Sequence, residues 1–236
     1  VSLFSLVGLF TLSFSENKLK KILIFLVSFS AGALMGDAFI HLLPEAVEQI
    51  GFGLKVSLAV LSGILFSFIV EVFIHWRHCH LPQSKKHVHS FAYMNLIGDT
   101  AHNFLDGLII GASYLVSVPV GIATTIAVIF HEIPQEIGDF GVLLHGGFSK
   151  GKALFFNFLT ALSAVLGAIV SLLLAAQLEG FTAYFIPFAA GGFIYIAGSD
   201  LIPELHRKKF DSVQSLLQLL FLILGILVML LLLVFE

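Results

Sequence analysis

Apolar runs of about 20 residues, interrupted by short polar or basic segments, recur along the chain, and such a run wound as a helix matches the hydrocarbon thickness of a bilayer. The runs predict helices at 19–43, 54–75, 91–115, 119–145, 152–177, 182–205 and 213–235, with residues 1–14 as a shortened first helix. Only helices and closed barrels satisfy their own backbone inside lipid, and these runs are too long for barrel strands. The expected fold is therefore an all-α polytopic membrane protein with eight transmembrane helices, forming one domain over 1–236. The first residue is Val, so the chain is expected to start further upstream, and no cleavable leader is evident.

Polar residues inside these runs carry the information. The fourth predicted helix holds Asn95, Asp99, His102, Asn103 and Asp106 among apolar and small residues. Asn95, Asp99, His102 and Asp106 are spaced i, i+4, i+7, i+11 and share one helical face. The fifth holds His131, Glu132, Gln135, Glu136 and Asp139, with His131/Gln135 and Glu132/Glu136 as i,i+4 pairs. A very short connection around Pro119 and Gly121 joins the two helices. They therefore present His102, Asn103 and Asp106 against His131, Glu132, Gln135 and Glu136. Pro134 removes a backbone donor within the motif and is expected to kink the helix and free carbonyls there. Ionisable groups at membrane depth are costly and usually functional. Imidazole with carboxylate and no soft thiolate suits zinc and other first-row divalent ions. The competing reading is a buried hydrogen-bonding network that only joins helices.

Composition narrows the classes further. The chain is 58% hydrophobic and 11% charged, with a mean hydropathy of +1.02, against about 25% charged in soluble domains. A net charge of -3 implies no nucleic-acid partner, and the single Cys79 excludes an internal disulfide. With the N-terminus outside, 11 of the 12 Lys and Arg fall on one side and only Lys55 on the other. Positive residues prefer the cytoplasmic side, so both termini are expected to be extracytoplasmic, in the plasma membrane or an internal one.

Two further patterns bear on organisation. Ala31-Gly32 precedes Leu42-Leu43-Pro44-Glu45 at the spacing by which Ala190-Gly191 precedes Leu201-Ile202-Pro203-Glu204. The second and seventh helices cross in opposite senses, so helices 1–3 and 6–8 would form an inverted repeat around the pair 4–5, a 3+2+3 plan common in transporters. Along these helices Asp37, His41, Asp200 and Glu204 offer way-stations for a cation, although Glu45, Glu204 and His206 also read as solvated helix ends. The expected cytoplasmic loop at 76–90, with the residue before it, gathers His75, His78, Cys79, His80, His87 and His89. Such a tract can bind metal or be merely solvated.

His102-Asn103-Phe104-Leu105-Asp106-Gly107, followed by His131-Glu132-Ile133-Pro134-Gln135-Glu136-Ile137-Gly138-Asp139, resembles the paired motifs of the ZIP family of divalent-metal transporters. The likeness extends over nearly the whole chain, including Gly36-Asp37 and His41-Leu42-Leu43-Pro44-Glu45. The resemblance implies eight helices in a 3+2+3 arrangement and transport of Zn2+, or of Fe2+, Mn2+ or Cd2+, toward the cytoplasm. It implies His102, Asn103, Asp106, His131, Glu132 and Gln135 as ligands. Gln135 stands where the HExPHExGD branch has a second His, and a carboxamide oxygen is a harder, weaker ligand. Some members supply a Glu from helix 6; Leu162–Gly167 here has none, and Glu136 is the candidate substitute. The expected partners are divalent ions as substrate, with no resident cofactor, and the lipid bilayer. A homodimer is compatible with the sequence. The alternatives are an intramembrane zinc metalloprotease, which the Gln135, Pro134 and the early Leu105-Asp106-Gly107 all disfavour, and a metal sensor that moves no ions.

Overall fold

The computed structural model describes residues 2–7, 16–75, 90–177, 180–206 and 212–235. Every described element is helical. They are α1 (Glu16–Gly36), α2 (Leu43–Ile50), α3 (Leu54–His75), α4 (Ser90–Val116), α5 (Val118–His145), α6 (Lys150–Ala161), α7 (Ser163–Gln177), α8 (Phe181–Tyr195), α9 (Ile202–His206) and α10 (Ser212–Leu232). A 3-10 turn, Ser2–Val7, is the described part of the expected first helix. Among the described residues, six helical stretches are long and apolar enough to cross a membrane. The polar-striped α4, 27 residues long, is not one of the six.

Two of the predicted helices are wound differently from the even helices expected. α1 passes into α2 through a π-helical stretch, Asp37–Leu42, and α8 into α9 through a second one, Ile196–Leu201. Each stretch ends just before a proline, Pro44 or Pro203. A proline inside an α-helix clashes with the carbonyl four residues back and cannot donate to it. Widening the preceding turn accommodates the ring: Leu43 N–H reaches back five residues to the Ala38 carbonyl, and Ile202 N–H to that of Ala197. The two stretches sit at the offset that relates Ala31-Gly32 to Ala190-Gly191. Gly32 and Gly191 also do the same work. A methyl on Gly32 would lie 2.0 Å from the Leu222 carbonyl oxygen of α10, and one on Gly191 would lie 2.1 Å from the Val60 carbonyl oxygen of α3.

The predicted helix at 152–177 is divided at Leu162 into α6 and α7. At this break Ser163 Oγ donates to the Thr100 carbonyl of α4, 2.8 Å away. α7 then packs along α4 so closely that a methyl on Gly107 would lie 1.9 Å from the Ala164 carbonyl oxygen. Close backbone approach through small residues is how membrane helices gain van der Waals contact without help from water.

α4 and α5 are joined through Ser117 alone, whose Oγ accepts from Val120 N–H as an N-cap, with Pro119 in the first turn. α5 continues as one helix through Pro134. The proline does deprive the Phe130 carbonyl of its helical donor, and Ser30 Oγ of α1 supplies a replacement at 2.6 Å. The main buried core lies between α1, α4, α5, α8 and α10, with Leu34, Ala38, Leu42, Ala127, Phe193 and Met229 all fully buried.

Candidate metal centre

Four side chains from α4 and α5 converge. His102, Asp106, His131 and Glu132 each offer one ligand atom, all within 4.8 Å of one another. His131 Nε2 lies 3.1 Å from Asp106 Oδ2, 3.2 Å from His102 Nε2 and 3.4 Å from Glu132 Oε1. His102 Nε2 lies 3.4 Å from Glu132 Oε1 and 3.8 Å from Asp106 Oδ2. A tetrahedral zinc ion with bonds of about 2.0–2.2 Å spaces its ligands by roughly 3.3–3.6 Å. The observed spacings straddle that range.

The local structure explains the convergence. His102 and Asp106 are one turn apart on α4, and His131 and Glu132 are adjacent on α5, so two helices bring all four to one level. His131 Nδ1–H donates to the Ala127 carbonyl one turn earlier, at 3.3 Å, which turns Nε2 toward the carboxylates. Asp106, His131 and Glu132 are each 1% exposed. Asp106 Oδ2 and Glu132 Oε1 are buried without a hydrogen-bond partner. Carboxylate oxygens held in low dielectric and facing imidazole nitrogens could hold a cation. The donor set of two nitrogens and two carboxylate oxygens fits a borderline divalent ion.

Other expected residues are placed around this group. Asn103 is fully buried; its amide donates to Asp99 Oδ1 at 2.8 Å, and its own Oδ1 has no partner. Gln135, one turn beyond His131, lines a cavity of about 290 Å³ shared with His102, Asp106, Asp99, Asp139 and Asn95. Glu136 stands apart from the group of four. It is 1% exposed, and its carboxylate accepts a hydrogen bond from Asn157 of α6. Asp139 Oδ1 accepts from Asn95 Nδ2 at 2.9 Å, tying the far ends of the two polar stripes together.

The residues expected as way-stations on the π-helical stretch after α1 are deeply buried. Asp37 is fully buried, with Thr124 Oγ1 3.5 Å from its Oδ1, and His41 Nε2–H donates to the Met229 carbonyl at 2.9 Å. Asp200 lies on the second π-helical stretch and Glu204 on α9. His75 ends α3, while His78, Cys79, His80, His87 and His89 lie outside the described residues.

Two residues were not singled out from sequence. Glu71 of α3 lines the same cavity and accepts a hydrogen bond from Tyr195 of α8. Asn157 holds Glu136, as above. Glu71 is the one acid inside the apolar run of α3, so the cost of intramembrane charge already marked it. Asn157 is a lone amide in an apolar helix, for which sequence offers no partner.

The ZIP Zinc transporter family matches the chain over residues 1–91 and 82–233. The zinc transporter ZIP13 of Pongo abelii is 37% identical over 221 residues, covering 87% of this chain and 65% of that protein. The zinc transporter zipt-7.1 of Caenorhabditis briggsae is 32% identical, covering 85% of this chain and 68% of its own length. The human zinc transporter SLC39A7 is 32% identical, covering 90% of this chain and 64% of its own length. The chain thus spans about two thirds of the curated relatives it matches. With these matches running through the helices that carry His102, Asp106, His131 and Glu132, the chain belongs to the ZIP zinc transporter family.

Proposed function

We propose that this chain carries divalent transition-metal cations across a bilayer toward the cytoplasm, Zn2+ first, with Fe2+, Mn2+ and Cd2+ as alternatives. The single observation that carries the reading is the convergence of His102, Asp106, His131 and Glu132 at zinc-like spacing inside an apolar helical protein. The names of the relatives, zinc transporters all, agree with it.

The transporting unit is the whole of 1–236, an eight-crossing protein in 3+2+3 order with both termini extracytoplasmic. The matching π-helical stretches and the matching contacts of Gly32 and Gly191 support an inverted repeat of helices 1–3 and 6–8. The four converging residues hold the dehydrated ion. Asn103 and Gln135 are further ligands, a reading supported by the unpartnered Oδ1 of the first and the place of the second on the cavity wall. Glu136 can join them only by leaving Asn157. Asp37 and His41 serve the ion on the extracytoplasmic side. Asp99, Asp139, Asp200 and Glu204 serve it on the cytoplasmic side, and one group of helices moves against another to switch access. The histidines at 75–89 with Cys79 buffer or sense the delivered ion.

The test is uptake into proteoliposomes holding the purified chain, with zinc, iron, manganese and cadmium in competition. The expected result is a flux that His102→Ala abolishes in folded protein, ranked among the metals by mutual inhibition. Undiminished flux in that variant overturns the assignment. Tight binding without any flux favours a sensor.

A further inference from the structure

The cavity beside His102 and Asp106 has two unlike walls. One, from α4 and α5, carries Asn95, Asp99, Gln135 and Asp139. The other, from α3 and α8, is mostly apolar, with Phe66, Val70, Phe185 and Phe188. Among the described residues this second wall holds one carboxylate, Glu71, and a phenol, Tyr195, that donates a hydrogen bond to its Oε2. Glu71 is half-buried and is the one acid of α3. An acid in an apolar span is costly to keep and usually functional. Its support is rigid. α3 and α8 are pressed together so closely that a methyl on Gly63 would lie 1.9 Å from the Phe188 carbonyl oxygen. Further along the same seam the Tyr195 ring packs edge-on against Phe68, one turn before Glu71, with centroids 6.4 Å apart. Packing thus fixes the ring, and its hydroxyl fixes the carboxylate on the cavity wall.

Resting on the transport reading above, we infer that Glu71 is a further residue of the ion's path: a divalent ion that leaves the converging four for the cavity takes an oxygen ligand from Glu71, which Tyr195 holds in position. Inside this cavity of about 290 Å³, an ion has the polar groups of α4 and α5 on one flank, and on the apolar flank Glu71 is the one carboxylate among the described residues. A cation beside an apolar wall loses hydration on that flank, and a carboxylate there replaces part of what is lost. Carboxylate oxygen also suits first-row divalent ions. The helices that carry Glu71 and Tyr195 supply none of the converging four. Glu71 therefore draws the ion away from α4 and α5, where the other described carboxylates of the cavity reside.

The experiment compares initial zinc fluxes into proteoliposomes for the full chain and for its Glu71→Gln and Tyr195→Phe variants, over a range of zinc concentrations, with thermal midpoints in detergent. Glu71→Gln keeps an oxygen for the Tyr195 hydroxyl and removes only the charge. Its maximal flux is expected to fall about tenfold, the scale of one close charge–charge interaction. The half-saturating zinc concentration and the thermal midpoint are expected to stay as in the parent, because the converging four are untouched. Tyr195→Phe removes the hydrogen bond and keeps the charge, so it is expected to transport faster than Glu71→Gln. Unchanged maximal flux in Glu71→Gln overturns the proposal, and so does an effect confined to half-saturation. A Tyr195→Phe flux as low as that of Glu71→Gln also overturns it, since the bond rather than the charge would then be what matters. Where Glu71→Gln lowers the thermal midpoint as well, this last comparison decides. Parent liposomes that take up no zinc sink the transport reading and this one with it, whereas parent uptake that Glu71→Gln leaves intact sinks only this one.

Discussion

The protein is packed differently on the two sides of the converging His102, Asp106, His131 and Glu132. On one side lie Ala127, one turn from His131, and Leu34, Ala38, Leu42, Phe193 and Met229, all fully buried. Asp37 and His41 are sealed into this layer, His41 against the α10 backbone. On the other side a cavity bounded mainly by α3, α4 and α8 reaches Asp99, Gln135, Asp139 and Glu71. His102 and Asp106 therefore border open space on this side only, and on the proposed topology Asp99 and Asp139 lie toward the cytoplasm. A transport site must be closed to one side while it is open to the other, so the contrast is what one state of an alternating-access cycle requires. The chemistry of the two sides differs accordingly. Densely packed apolar side chains close one side, while the other carries carboxylates held by carboxamides, the polar groups that the proposed path requires.

The contrast can be broken most forcefully at Phe193. Its ring is fully buried, with its centroid 6.1 Å from that of His131. Phe193→Ala is expected to cost about 3–5 kcal/mol through the cavity left behind, read as a large fall in thermal midpoint in detergent; a midpoint within a degree of the parent means the layer is not a packed seal.

Next in size is chemical access. In a Cys79→Ser background, Asn95→Cys should react with a membrane-impermeant thiol reagent from the cytoplasmic face, and Ala127→Cys should resist it from either face. A local opening costing about 3 kcal/mol suppresses labelling roughly 100-fold. Equal labelling at the two positions removes the distinction between the sides.

A smaller effect is expected at the joint between the halves. Ser30→Ala removes the hydroxyl that satisfies the Phe130 carbonyl, which Pro134 leaves without a helical donor. The loss should be about 1–2 kcal/mol, the range for an orphaned buried acceptor. Substitution without effect on stability would mean that another group already bonds this carbonyl. Smallest of all, Gln135→His should shift relative uptake toward zinc by only a few fold, as one ligand among several is exchanged. Unchanged ratios among the metals would mean that Gln135 does not coordinate.

The convergence of the four side chains was legible in the sequence because its grammar is local. His102 and Asp106 are one turn apart, His131 and Glu132 are adjacent, and the connection through Ser117 forces their helices to be neighbours. The stripe Asn95, Asp99, His102, Asp106 follows from helical period alone, since such a face cannot meet lipid. What escaped depends on contacts between distant segments. Hydrophobic runs read as continuous helices, so the π-helical stretches at Asp37–Leu42 and Ile196–Leu201 were invisible as such, though Pro44 and Pro203 are their cause. The carbonyl that Pro134 frees was foreseen, but its partner, Ser30, lies 100 residues away in the chain. Glu136 was expected beside Glu132 as a ligand, and the helical spacing is right. Its bond to Asn157 belongs to the packing of α6, which no local pattern encodes.

The most direct test of the account is to locate zinc in the protein by anomalous scattering from crystals grown with the ion. The account predicts a peak between α4 and α5 within about 2.0–2.2 Å of a nitrogen of His102 and of His131 and an oxygen of Asp106 and of Glu132. Zinc found only elsewhere, with these four side chains bonded to one another and no density between them, would contradict it.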